Sequence, residues 1–155
     1  MYERVLVPLD GSSLAEAILP YVEELSKKLG SELVLLHAVP PLESFLSVPI
    51  DPIAPPVGVD AVQIHEASTK AGAEYLAGVK ARLESASIAA TTVLVDGHGE
   101  AAILEYAERE APSLIAMATH GRGGLSRMVM GSVADAIVRK SRLPVLLLRP
   151  GENED

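Results

Sequence analysis

The sequence predicts a single α/β domain built on a parallel sheet, and three observations carry that prediction. The chain has 155 residues of which 48% are apolar, enough for one domain with a sizeable core and short for two. Val- and Leu-rich runs alternate with segments of helical period, the order expected of βαβ units with right-handed crossovers. The inner runs are continuously apolar, as strands covered on both faces require.

Arg4 to Leu9 reads as the first strand, ended by Asp10-Gly11-Ser12-Ser13. A helix follows: Ser13 and Glu16 have capping-box spacing, and Leu14, Ala17, Ile18, Tyr21, Val22, Leu25 and Leu29 recur at helical period before Gly30, with Pro20 expected to kink it. Leu33 to Val39 is the second strand. Residues 40–60 hold six of the eleven prolines without helical or strand period and are expected to form a long loop. Helix is then expected from Gln63 to Ser85, strand from Thr91 to Val95, helix from Glu100 to Glu110 and strand from Leu114 to Ala118. A last helix, Ser132 to Lys140, and a last strand, Val145 to Leu148, complete the pattern. The expected domain spans residues 1–150, with an acidic tail at 151–155. The final segment, Leu143 to Arg149, has nothing after it to cover an exposed edge, so a homodimer through this strand is expected.

Composition excludes several classes of function. There is no cysteine, which removes disulfides, thiolate metal sites and cysteine nucleophiles and fits a cytoplasmic location. No leader pattern opens the chain, and no apolar run approaches the roughly 20 residues of a membrane span. A net charge of −8 and only five aromatic residues argue against a nucleic-acid partner. The charge is unevenly spread: residues 1–118 carry seven basic and seventeen acidic side chains, whereas residues 119–150 carry six basic against Asp135 alone. Helix-end cations explain Arg139, Lys140 and Arg142 but not Arg122 and Arg127.

Those two arginines lie within a glycine-rich segment, Ala118 to Val133, that leads from a strand end to a helix start. Gly121, Gly123, Gly124 and Gly131 let backbone approach a ligand in conformations with positive φ, and Ser132 has the spacing to cap the helix with Asp135. Helix-terminal amides with nearby arginine make an anion site, best suited to phosphate. The Walker and dinucleotide fingerprints are both missing. Asp10, at the first strand's end, suits either a ribose or magnesium contact or the organisation of its own turn. His37, His65 and His98 lack metal spacing, and no Gly-x-Ser-x-Gly elbow or water-activating group favours catalysis.

Three stretches together resemble the universal stress protein family: Val5-Leu6-Val7-Pro8-Leu9-Asp10-Gly11-Ser12, Val95-Asp96-Gly97-x-Gly99-Glu100, and Thr119-His120-Gly121 through Gly131-Ser132-Val133-Ala134 with Leu143-Pro144-Val145-Leu146. Members that bind ATP carry G-x2-G-x9-G-[ST]; here Gly121, Gly131 and Ser132 match, and Ala118 replaces the first glycine. Because Ala118 closes an apolar run, it is expected in ordinary strand conformation, where its methyl group costs little. The resemblance implies an open parallel sheet of five strands ordered 3-2-1-4-5. It implies ATP, ADP or AMP, with or without Mg²⁺, across the ends of strands one and four. Pro8, Leu9, Asp10 and Val39 would then line the base and ribose end, with Met117, Ala118, His120, Gly121, Arg122 and Gly124 beside the sugar and first phosphates. Gly131, Ser132 and Val133 would hold the terminal phosphates. The expected role is that of a nucleotide-dependent stress or signalling module with an unidentified partner. The alternatives are a slow ATPase or nucleotidyl transferase, or a nucleotide-free dimerisation protein.

Overall fold

The computed structural model describes residues 1–46, 60–120 and 131–151. Five strands form one sheet: β1 (Arg4–Pro8), β2 (Glu32–Val39), β3 (Ala90–Asp96), β4 (Leu114–Ala118) and β5 (Val145–Leu148). Their order is β3-β2-β1-β4-β5, every pairing is parallel, and β1 is the middle strand.

Register sorts the side chains into two cores. Val5 lies opposite Leu33 and Leu114, and Leu6 opposite Val34 and Ile115, so successive residues of three adjacent strands face opposite sides together. Val5, Val7, Leu33, Leu35 and Ala116 pack on one side with Ile18, Val22, Leu76 and Leu83 from α2 (Leu19–Leu29), the turn before it, and α4 (Ala61–Ser85). Leu6, Val34, Leu36, Ile115 and Met117 pack on the other with Ile103, Tyr106 and Ile137 from α5 (Gly99–Glu110) and α6 (Ser132–Lys140). Each buried Leu or Ile adds roughly 1.5–3 kcal/mol from burial, which explains why uninterrupted apolar runs identified these strands.

The helix boundaries differ from expectation where polar side chains compete. α1 (Ser13–Glu16) is capped by Ser12, whose Oγ accepts from the Ala15 amide at 3.1 Å. Ser13 is therefore the first helical residue rather than the cap. Glu16 does not return to the cap either; its carboxylate is 2.7 Å from Arg82 of α4. Pro20 divides the expected single helix in two by sitting in the first turn of α2, where its missing N–H costs no hydrogen bond. Gly30 closes α2 at φ 69°, a left-handed conformation that favours glycine.

Within the expected loop at 40–60, a short helix α3 (Leu42–Leu46) forms and packs against α4. Residues 47–59 lie outside the described part. At α6 the expected serine cap is not formed: the N-cap is Gly131, no side chain caps the helix, and Asp135 instead accepts from Arg139 Nε at 2.8 Å. Gly131 has φ −56°, so positive φ is not what requires glycine there.

Candidate functional site

Strand order reverses around β1. The chain leaves β1 toward α1 and α2 on one face, whereas it leaves β4 toward α6 on the other, and a crevice opens between the two departures. It is a cleft of about 380 Å³ floored by Leu36, Ile103 and Met117.

One wall is the turn after β1. Asp10 Oδ1 accepts from the Ser12 amide at 2.9 Å and the Ser12 hydroxyl at 2.6 Å, an Asx turn continued by the α1 cap. Gly11 takes φ 86° inside it. Burial pushes the Asp10 carboxyl up, but the hydrogen bonds from Ser12, hydroxyl first, hold it below the usual carboxylate value, so it is anionic at neutral pH. From beneath, His37 Nδ1 donates to the Leu9 carbonyl at 2.8 Å, and the Tyr75 ring meets the imidazole edge at 6.0 Å. Gly72 makes room for this histidine, because a Cβ there would stand 2.7 Å from His37 Cδ2.

The opposite wall is the start of α6. The first amide bonded within that helix is that of Asp135, to the Gly131 carbonyl, so the amides of Ser132, Val133 and Ala134 emerge at an end that, among the described residues, has no side-chain cap. Thr119, 3% exposed, fixes that end: its Oγ1 accepts from the Gly131 amide at 3.1 Å, and its own amide donates to Leu148 of β5. A Cβ on Gly131 would lie 3.2 Å from Thr119 Oγ1, so close approach requires glycine here. Ala118 ends β4 in strand pairing with Leu148, where an alanine needs no unusual backbone.

Of the site residues expected from sequence, Pro8, Leu9, Asp10, Met117, Ala118, His120, Gly131, Ser132 and Val133 all line the cleft. Val39 does not: it is 1% exposed, its carbonyl accepts from Gly97, and Ala38 and Pro40 take the lining positions. Gly121, Arg122 and Gly124, like Arg127, lie outside the described residues. Sequence reasoning passed over Thr119 and the Gly97-His98-Gly99 turn, both of which line the cleft. A Gly-x-Gly directly after a strand, at the same sheet end as the other two loops, was the signal for that turn. Among the described residues no group of three or more His, Asp or Glu is placed to hold a metal, and no helix is long and apolar enough to cross a membrane.

The Asp10–Ser12 arrangement has a measurable consequence. Ser12→Ala removes a donor to the carboxylate and the α1 cap, so the Asp10 pKa rises in a carboxyl NMR titration and stability falls by about 1 kcal/mol in urea at neutral pH. Because the native carboxyl is depressed, its share of that stability is present above the ordinary value of 3.8 and is lost as pH falls through the native value. An unchanged Asp10 titration would contradict the assigned hydrogen bonds.

Residues 1–149 match the model of the universal stress protein family. Universal stress protein MJ0531 of Methanocaldococcus jannaschii is 27% identical, over 99% of this chain and 86% of that protein. The solved structure of MJ0577, also of Methanocaldococcus jannaschii, superposes with a TM-score of 0.79 at 25% identity, covering 99% of both chains. A universal stress protein family structure from Arabidopsis thaliana with AMP bound shares the fold at 15% identity, TM-score 0.67, over 98% of this chain and 94% of that one. With the family pattern spanning nearly every residue and the sheet ordered as in the solved relatives, this chain belongs to the universal stress protein family.

Proposed function

We propose that the chain binds an adenine nucleotide in the cleft between β1 and β4, ATP foremost with ADP and AMP as competitors, and acts as a nucleotide-dependent stress or signalling module. The observation that carries this reading is the pairing of two unlike walls around one crevice: an anionic, pre-organised Asp10 turn opposite an uncapped α6 N-terminus. The carboxylate suits ribose hydroxyls, and the helix-end amides with their dipole suit phosphate. Apolar Leu36, Ile103 and Met117 supply a dry floor of the kind a base requires. Pro8, Leu9 and Asp10 take the base and ribose end in this assignment, with Val39 contributing by shaping the strand end. Ala118, His120, Gly121, Arg122 and Gly124 follow the sugar and first phosphates, and Gly131, Ser132 and Val133 take the terminal phosphates, with Mg²⁺ arriving on the nucleotide. AMP occupancy is a property of the Arabidopsis protein, and at that identity its structure supports the fold alone.

Calorimetry with ATP, ADP and AMP tests the reading. Millimolar or tighter binding is expected, weakened about tenfold or more, or roughly 1.4 kcal/mol, by Gly131→Val, whose side chain would displace Thr119. No heat at millimolar ATP, or a Gly131→Val variant that binds like the parent, would overturn it. Turnover of about one per second or faster in the same samples would favour the enzyme alternative.

The second part of the proposal is a homodimer through β5. Among the described residues this strand pairs with β4 alone and ends the sheet, and Leu146 is 39% exposed on it. Light scattering is expected to give twice the chain mass, falling to one chain mass in Leu146→Lys; a monomeric parent protein, or a dimer indifferent to Leu146→Lys, would refute the β5 assignment.

A further inference from the structure

His98 stands between α3 and the start of α5 and takes no part in capping either. It is the N-cap residue of α5 at φ −91°, ψ 128°, yet its side chain makes no hydrogen bond to the helix amides. Its Nε2 meets Ser44 Oγ of α3 at a long 3.3 Å, and the residue is exposed and lines the cleft. With Nε2 turned toward Ser44, Nδ1 is the ring nitrogen left for a ligand.

Gly99 sets where this imidazole stands relative to the opposite wall. A Cβ on Gly99 would lie 3.3 Å from Val133 Cγ2, so the starts of α5 and α6 are packed side by side. The first amide bonded within α5 is that of Ala102, to the His98 carbonyl, so this helix also presents uncapped amides at the cleft. His98 thereby precedes a helix start that packs against the start of α6, and it lines the same cleft as Ser132 and Val133, where a polyphosphate would end.

We propose that His98 is a specificity-determining residue that reads phosphate number, its imidazolium donating a charge-assisted hydrogen bond to the terminal phosphate of a nucleoside di- or triphosphate and missing the single phosphate of a monophosphate. The inference rests on the nucleotide reading of the same cleft. An imidazolium adds a positive charge to that hydrogen bond and a neutral imidazole does not, so the discrimination follows pH. The charged and titratable groups around it are Glu43 of α3, His65 of α4, Asp96 at the end of β3 and Glu100 in the first turn of α5, with Asp10 and His120 also lining the cleft. His65 is already engaged: its Nδ1 is 3.2 Å from the Pro40 carbonyl and its Nε2 3.7 Å from Asp96 Oδ1. His98, as the N-cap residue of α5, is the histidine that belongs to one of the two joined helix starts.

The test is the ratio of ATP to AMP affinity, measured by calorimetry at about pH 6 and about pH 8 in the unaltered protein and in His98→Gln. The ligands' own phosphate ionisation is common to both proteins and cancels in the comparison. On going to the lower pH the ratio is expected to rise about fivefold more in the unaltered protein than in His98→Gln, with AMP affinity in the variant within about twofold of the parent. Circular dichroism confirms that the variant is folded, as expected for an exposed side chain that caps nothing. An equal change of the ratio in both proteins overturns the role of His98 while leaving the nucleotide reading intact. Absence of both ATP and AMP binding at both pH values overturns the nucleotide reading and this inference with it.

Discussion

Everything at the cleft depends on β1 being hydrogen-bonded on both sides within a parallel sheet. Its backbone pairs with β2 on one side and β4 on the other, and its side chains are divided between two cores, so neither its position nor its direction can change without disrupting both. Because the chain departs to opposite faces after β1 and after β4, the space above those two strand ends cannot be filled by either connection. The crevice is a topological consequence of the strand order. What the sequence adds is the chemistry placed at its rims.

Each rim is held by short-range polar contacts rather than by packing. On the β1 side, Asp10, Ser12 and the first turn of α1 form a closed set of hydrogen bonds, and His37 props the Leu9 carbonyl from below. On the β4 side, Thr119 links the sheet edge to the first residue of the α6 cap through one hydroxyl. Among the described residues no serine or aspartate caps the α6 end, so its amides and dipole are not satisfied by a side chain there. A side-chain cap would stabilise the helix by about 1 kcal/mol and would occupy the same donors a phosphate needs. The absence of that cap is the main electrostatic resource of the cleft.

Much of this was legible in the sequence because burial on both faces leaves a signal no polar substitution interrupts. β4, α6 and β5 have the bounds that apolar period and flanking glycine or proline indicate, and β1 and β2 differ by a residue at one end. Local competition for hydrogen bonds was not legible. Ser12 and Ser13 are adjacent and both suit a cap, and only the Asx turn at Asp10 decides between them. Gly131-Ser132 likewise reads as a serine cap, whereas Thr119, twelve residues away, accepts from the glycine amide, and Gly131 rather than Ser132 is the N-cap residue. Nine of the expected site residues converge because strand ends in a parallel sheet share one rim. Val39 falls outside the lining because strand alternation turns it into the protein between Ala38 and Pro40. Gly97, His98 and Gly99 were missed as site residues although the expected strand order brings the Gly-x-Gly after β3 to the same sheet end.

The central claim is that the amides at the start of α6 receive phosphate while the Asp10 turn receives the sugar. Amide proton and nitrogen chemical shifts of uniformly ¹⁵N-labelled protein during titration with ATP test it residue by residue. The account predicts that the largest changes fall on Ser132 and Val133, with a second group at Asp10 and Gly11, and that adenosine moves the second group while leaving the first nearly unchanged. Shifts confined to the outer edge of the sheet or to the far ends of the helices, with α6 amides unmoved at saturating ATP, would contradict it.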